Sequence, residues 1–370
     1  MKILVDINHP AHVHYFKNCI KLLRQKGHQI IITARDRYPT LQLLDAYGED
    51  YYNRGKGSRH LLGKLLYMSA ADIKILKIAL KTKPDLYLSF GTPYPNQVAW
   101  LMRKPGINFQ DTENAGLMFA VTRPFSRVYC TPRCFKKDLG KKHIRFNGYM
   151  ELAYLHPHYF TPDDSIYKYL GISRDEKYVV MRFVSWSASH DIGHKGISLE
   201  MKRKAVEQFS KFAQVFISSE VQLPEDMKPY QINIPPEKMH DVLAYASLLY
   251  GESATMASEC AVLGTPAIYL DNNGRGYTDE EEKKYSLVLN YTESIDHQER
   301  SIQKAVEFLK TPHLNKEWQQ RRQKMLNETI DVSAFMVWLI ENYPKSVTIM
   351  KENADYQNRF KNRNCAPQLE

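Results

Sequence analysis

No stretch of about eighteen uncharged apolar residues, the length a helix needs to cross a bilayer, occurs anywhere in the sequence. The opening MKILVDINHP places Asp6 and Asn8 where a signal peptide would need an apolar core. These two gaps argue against a membrane-spanning or secreted protein and for a cytoplasmic one, at most peripheral at the inner face of a membrane. Cysteine is scarce as well, with five residues at 19, 130, 134, 260 and 365. An odd number without a CxxC spacing argues against a disulfide framework and a redox or zinc pair, and for reduced, packed thiols. No short-period repeat is visible.

What is present is a chain of 370 residues, 43% hydrophobic and 25% charged. That length exceeds what one core usually organises, so two domains are expected, with a single domain of TIM-barrel size as the alternative. Lys and Arg number 51 against 41 Asp and Glu, a net charge of +10. Such a balance favours acidic partners: nucleotide phosphates, anionic lipid headgroups or nucleic acid.

Short β-rich runs alternate with segments of helical period, which implies right-handed crossovers and a parallel sheet. KILVDI, QIIITA, DLYLSF, GINFQ, RVYC and IRFNG read as strands, separated by helical lengths at 12–26, 38–47, 60–82, 94–103 and 113–121. The stretch YMELAYLHPHYFTPDD, 149–164, breaks the rhythm with two prolines and reads as an interdomain hinge. Alternation then resumes with KYVVMRFV, AQVFIS, QINI, SLLYG and PAIYLD as strands and helices at 199–211, 236–245 and 254–263. Helices at 295–309, 314–327 and 331–341 follow, and the polar residues beyond Pro344 read as a loosely held tail.

Four strand-to-helix loops carry candidate chemistry, because open α/β sheets bind ligands at the carboxyl ends of their strands. INHPAHVHYF gathers His9, His12 and His14 behind the first strand. An imidazole titrates near neutral pH, so His12, and second His9, is the candidate general base. The HVH spacing is similar to the HxH of metal-dependent amidohydrolase barrels. Pro10 has already ended the strand, however, and no second cluster supplies further ligands, so no metal is expected.

The second loop lies in YGESATMASECAVLGTPAIYLDNN, 250–273, a strand, a small-residue turn, a helix and another strand. Ser253, Ala254 and Thr255 place hydroxyls and backbone N–H groups at a helix N-terminus, ready for a phosphate. Glu259 falls one turn on, at i+4 from Thr255, where its carboxylate can accept from a ribose diol. A third loop, in MRFVSWSASHDIGHKGIS, 181–198, offers Ser185, Ser187 and other residues of 185–189 to phosphate, with Arg182 and Lys195 as charge partners. His190, Asp191 and His194 stand in the same loop. The fourth, FQDTENAG, 109–116, holds Asp111, Thr112 and Glu113 at another helix start, where helix-dipole capping accounts for the first two and Glu113 is the catalytic candidate. Residues 54–83 hold eight Lys or Arg against one Asp, a basic amphipathic segment suited to anionic lipid or, more simply, to a solvated helix face.

The small-residue turn, Glu259 and LGTP resemble the donor-nucleotide signature of GT-B glycosyltransferases and of non-hydrolysing UDP-GlcNAc 2-epimerases. Laid on the epimerase pattern DSGGIQEEAPSLGKP, the segment ESATMASECAVLGTP puts the nucleotide-binding serine on Ser253 and the ribose-binding glutamate on Glu259. It departs from that pattern at Ala254, Thr255 and Ser258, which replace two glycines and a glutamate. PAHVHYF looks like the GGHVFPA loop of the peptidoglycan N-acetylglucosaminyltransferase acting on lipid II, with the loop histidine on His12 and the glycines missing. Over nearly its whole length, RFVSWSASHD and TMASECAVLGTPAIY included, the chain resembles domain-of-unknown-function family 354, whose members look like GT-B proteins.

That resemblance implies two Rossmann-like parallel-sheet domains facing across a cleft, 1–155 on the acceptor side and 165–328 holding the nucleotide sugar. A C-terminal helix at 329–343 is the candidate to cross back to the first domain, ahead of a tail at 344–370. The implied reaction is metal-independent transfer of a sugar, from a UDP-sugar by preference, to a cell-envelope or polysaccharide acceptor, glycan or lipid-linked, with no cofactor. A UDP-sugar 2-epimerase is the second reading. A non-catalytic binder of polyanions or nucleotide sugars is the third, although nucleic acid is not the favoured partner.

Overall fold

Most runs of β-branched and aromatic residues in this chain become strands, and the helices between them carry the chain back to start the next strand in the same direction. The computed structural model describes residues 1–57, 61–113, 116–185 and 195–361. A seven-stranded sheet contains β1 Lys2–Ile7, β2 Gln29–Asp36, β3 Tyr51–Lys56, β4 Leu86–Phe90, β5 Gly106–Phe109, β6 Val128–Pro132 and β7 His143–Phe146. Its order is β3-β2-β1-β4-β5-β6-β7, with every pair parallel. A five-stranded sheet contains β8 Tyr178–Phe183, β9 Gln214–Ser219, β10 Leu248–Gly251, β11 Ala267–Leu270 and β12 Val288–Tyr291. Its order is β12-β11-β10-β8-β9, again all parallel.

Both sheets are Rossmann-like, and in each the winding direction reverses once. The first reverses between β1 and β4 and the second between β8 and β10, leaving at each reversal a crevice beyond the carboxyl ends of two neighbouring strands. β1 shows why such strands were legible: Ile3, Leu4, Val5 and Ile7 are fully buried, as a strand covered by helices on both faces requires. The helix after it, Pro10–Gln25, starts with proline at its first position, where no N–H is needed, and turns Val13, Phe16, Ile20 and Leu23 inward.

Two compact units result, Met1–Tyr154 together with Thr329–Lys361, and Leu155–Glu328. In the first, the helix Val332–Glu341 packs against Pro10–Gln25. The carbonyl of Ala153 accepts from Asn18 Nδ2 at 2.8 Å and from Ser333 Oγ at 2.7 Å, so three stretches distant in sequence meet at one oxygen.

Five readings of the sequence change here. QINI, 231–234, is no strand: Gln231 makes one isolated bridge to Ile217 after a 3₁₀ turn at Glu225–Tyr230, and Pro235 follows at once. β3, a half-exposed edge strand rich in polar residues, and the short strand β12 carry too little hydrophobic patterning to be found, and the charged helix Gly276–Tyr285 was equally silent. The expected loose tail is ordered as far as Lys361, with a helix at Lys345–Glu352 and a 3₁₀ segment at Ala354–Phe360. Its few apolar residues suffice because they enter an existing core: Phe360 meets Phe335 edge-on at 5.9 Å, and Gln357 Oε1 accepts from the Asn147 backbone at 2.6 Å.

Phe335 is fully buried between Phe146, Trp338 and Phe360. Phe335→Ala should therefore lower stability by about 3–5 kcal/mol in chemical denaturation, as expected for an emptied core position.

Candidate functional site

At the β1/β4 crevice of the first unit, strand β1 ends on a buried carboxylate. Asp6 and Arg54 are both inaccessible to solvent, with Arg54 Nε 2.8 Å from Asp6 Oδ1. Thr33 donates to Asp6 Oδ1 at 2.7 Å, and Thr92 to Oδ2 at 3.3 Å. Arg54 also donates to Asn8 Oδ1 at 3.3 Å and to the Tyr67 hydroxyl at 3.0 Å. These bonds tie the ends of β1, β2, β3 and β4 together, and none of them was anticipated, because the partners lie far apart in sequence.

The histidines stand on this platform. His9 is the N-cap of the helix Pro10–Gln25, its Nδ1 accepting from the Ala11 backbone at 3.2 Å. His12 is buried beside Phe90, ring centroids 4.9 Å apart, and its Nδ1 accepts from the Asn8 backbone at 3.3 Å. A backbone N–H can only donate, so in both neutral rings Nδ1 keeps its lone pair and the proton sits on Nε2. Burial, and then the charges of Arg37 and Arg54, pull the His12 pKa down to about 3. His12 is thus a neutral N–H donor at physiological pH, and the expectation of an imidazole poised to take a proton near neutrality fails for it. His14 accepts or donates at 3.3 Å to the Tyr47 hydroxyl and stacks on Tyr154 at 5.4 Å, a packing position.

The loop after β5 joins the same cluster through a residue of another kind. Tyr15 donates to Asp111 Oδ2 at 3.2 Å and lies against Phe90 and His12. The next helix begins only at Gly116, so Asp111 and Thr112 do not cap it. Thr112 donates to Asp111 Oδ1 at 2.8 Å instead. Glu113, the catalytic candidate of this loop, has Oε1 engaged by the Lys136 backbone N–H at 3.1 Å, holding the turn after β6. It is a loop anchor, and Asp111 is the carboxylate that faces the histidine helix.

At the β8/β10 crevice of the second unit, Gly251 ends β10 so close to β8 that a Cβ would lie 2.1 Å from the Arg182 carbonyl, which explains the glycine. Ser253 then caps the helix Ala254–Leu263, its hydroxyl accepting from Met256 N–H at 3.3 Å. Among the described residues no acceptor takes the N–H groups of Ala254 and Thr255, and both residues are half-buried at the crevice. These are donors of the kind that bind anions at a helix N-terminus.

Glu259, one turn further, is almost buried, with Oε1 3.0 Å from His240 Nε2. The partner histidine lies on Met239–Tyr245, a helix whose role the sequence did not disclose. Glu252 is the larger omission. Its buried carboxylate accepts from Val184 N–H at 2.9 Å and Ile197 N–H at 2.6 Å, with Lys202 Nζ at 3.3 Å. Val184 and Ile197 flank the serine-rich loop, so one side chain pins both of its ends. Glu293 adds a second hold, accepting from the backbones of Lys195 at 2.8 Å and Gly196 at 3.0 Å.

Two expected phosphate contacts are engaged elsewhere. Arg182 bonds Ser218 at 2.8 Å and Glu220 at 2.5 Å, and Ser185 Oγ donates to Glu220 at 3.2 Å. The cause is β9, which brings Glu220 alongside the end of β8. Ser187, with His190, Asp191 and His194, lies outside the described residues.

The lowered pKa of His12 has a consequence for stability. The unfolded chain takes up a proton near pH 6.5 and the folded chain only near 3, so stability supplied by the neutral ring is complete above about 6.5 and lost as pH falls toward 3. His12→Gln should flatten that part of the stability–pH curve. Nitrogen NMR of the native ring should show protonated Nε2 and bare Nδ1 at pH 5.

With this geometry in hand, comparison with known proteins gives a consistent result. An uncharacterized protein of Methanocaldococcus jannaschii is 26% identical over 278 residues, covering 72% of this chain and 81% of the relative. Among solved structures, the UDP-GlcNAc 2-epimerase of the same organism superposes with a TM-score of 0.58 at 13% identity, covering 88% of this chain and 99% of its own. The spinosyn rhamnosyltransferase SpnG, solved with thymidine diphosphate, gives a TM-score of 0.57 at 13% identity, covering 92% and 100%. At such identities the likeness is one of fold, and that fold is GT-B-like, built of two Rossmann-like parallel-sheet units. A model of one family, described as "Protein of unknown function (DUF354)", matches residues 1–276, and the chain belongs to that family.

Proposed function

We propose that the protein is a glycosyltransferase that moves a sugar from a nucleoside diphosphate donor, a UDP-sugar by preference, to a glycan or lipid-linked acceptor of the cell envelope. The observation that carries this reading is the helix N-terminus at Ser253, at the reversal of the second sheet, where no acceptor among the described residues takes the N–H groups of Ala254 and Thr255. The diphosphate binds there, with the Thr255 hydroxyl as a further donor. Glu259, oriented by His240, accepts from the ribose diol, and Glu252 fixes the backbone on either side of the serine-rich loop at Val184 and Ile197. The epimerase and rhamnosyltransferase whose folds match this one act on or bind nucleotides of the same class, as their names state.

On the acceptor side the labour is divided. His12 and His9, each with its proton on Nε2, donate hydrogen bonds that orient the acceptor. Asp111, held by Tyr15 and Thr112, takes the hydroxyl proton as the oxygen attacks the anomeric carbon. The leaving diphosphate keeps its negative charge against the helix N-terminus, which requires neither metal nor cofactor.

Glu259→Gln keeps the shape of the side chain and removes its charge, so UDP binding should weaken about tenfold in calorimetric titration, as for a lost charge-assisted hydrogen bond. Asp111→Asn should leave UDP affinity unchanged while abolishing transfer. Incubation of UDP-GlcNAc without acceptor separates the alternative: accumulation of the 2-epimer would replace the transferase reading with a UDP-sugar 2-epimerase. Unaltered UDP affinity in Glu259→Gln would remove the ribose role.

A further inference from the structure

Away from both crevices, the first unit exposes apolar side chains that its core leaves uncovered. The helix Leu61–Thr82 buries Ala71, Ile75 and Ala79 on its inner face, which turns Ile73 and Leu80 outward, 54% and 56% exposed. Trp100 and Leu101 end the neighbouring helix Tyr94–Leu101, each 58% exposed. Between the two helices lies a hollow of about 290 Å³, walled by Asp72, Leu76, Gln97 and Phe125, with Trp100 meeting Phe125 edge-on at 5.6 Å. Scattered exposed apolar residues need no explanation, but a contiguous patch around a hollow marks a surface that something covers.

The charge around the patch says what. Lys77 and Lys81 flank Leu80 on the exposed helix face, and from 73 to 83 there are four lysines and no acid. Arg103 and Lys104 follow Leu101, while Arg123 and Arg127 bracket Phe125, all of them exposed. Among these described residues stand two acids. Asp85 is near Lys104 at 3.7 Å, and burial raises the Asp72 carboxyl to about 6, so it loses its charge readily beside a surface that concentrates protons. Nucleic acid would engage the cations and leave the apolar centre wet. A second copy of the chain meeting this face two-fold would oppose cation to cation. An apolar centre with an exposed tryptophan and a rim of long basic side chains matches a bilayer surface, where the stems lie in the interface and the heads reach phosphate.

We propose that this face seats the first unit on a membrane surface bearing anionic phospholipid headgroups, with Ile73, Leu80, Trp100 and Leu101 entering the headgroup–acyl boundary. The contact is independent of the reaction assigned to the crevices, and it would bring a lipid-linked acceptor to the same unit.

Sedimentation of the full chain with vesicles tests it. The protein should pellet with vesicles of equal parts phosphatidylcholine and phosphatidylglycerol and stay in solution with phosphatidylcholine alone. The double variant Trp100→Glu, Leu101→Glu should lose about tenfold or more in partitioning, since two inserting side chains become charged. Lys77→Glu with Lys81→Glu should bind more weakly and with less sensitivity to salt. Melting temperatures matching the wild type would show that these exposed substitutions leave the fold intact. Equal binding to both vesicle types, or unchanged binding by both double variants, would overturn the proposal. So would a wild-type dimer in light scattering that the Trp100, Leu101 variant splits without any vesicle binding by the wild type, because the patch would then be a self-association surface.

Discussion

The ion pair of Asp6 and Arg54 organises everything at the edge of the first sheet. Neither side chain reaches solvent, so each has given up its hydration, and the pair is tolerable only because the remaining oxygens and N–H groups find partners in Thr33, Thr92, Asn8 and Tyr67. Half of such a pair, left alone, would be an uncompensated charge in the interior, a penalty of about 3–5 kcal/mol. The arrangement fixes four strand ends at once and holds Asn8, whose backbone in turn fixes the His12 ring. Arg54 also adds to the positive field that keeps that ring neutral. A structural ion pair thereby reinforces the neutral state that burial imposes on a side chain at the proposed acceptor side.

The second sheet solves the same problem with a carboxylate and backbone donors. Glu252 sits where the epimerase-like pattern has its first acidic residue, yet its two oxygens are occupied by N–H groups from both margins of a loop. The crevice of that sheet is consequently lined by acids that are already satisfied, Glu252, Glu220 and Glu293 among them, and the open donors concentrate at the helix beginning with Ala254. An anion arriving there meets N–H groups in a setting whose nearby carboxylates are bonded to cations and backbone.

The legible part of this protein is what local pattern controls. KILVDI, DLYLSF and PAIYLD are buried parallel strands and could be read as such. The turn at Ser253 announced itself through a capping residue, His9 and His12 lie at a strand-to-helix junction, and Glu259 lies one turn inside the helix that Ser253 caps. The rest depends on contacts between remote segments. Arg54 lies 48 residues from Asp6, on an edge strand with little hydrophobic signature, and His240 reaches Glu259 from a different helix. The basicity of His12 misled because an imidazole's ordinary pKa says nothing about burial beside two arginines. Glu113 and Asp111 exchanged significance because the helix after β5 begins three residues later than the pattern 113–121 suggested.

The polar segment after Pro344 and the helix Val332–Glu341 before it complete the first unit, although residues 155–328 of the second unit precede them in the chain. During synthesis on a ribosome, the amino-terminal sheet therefore emerges first but lacks Phe335 and its neighbours until residues 155–328 have already been made. The unit that begins earliest is thus finished last. Until then, the face of Pro10–Gln25 that Val332–Glu341 will cover stays uncovered in the nascent polypeptide, as do Lys26 and His28 just beyond it, which pair with Glu341, and this interval is when chaperones would find it.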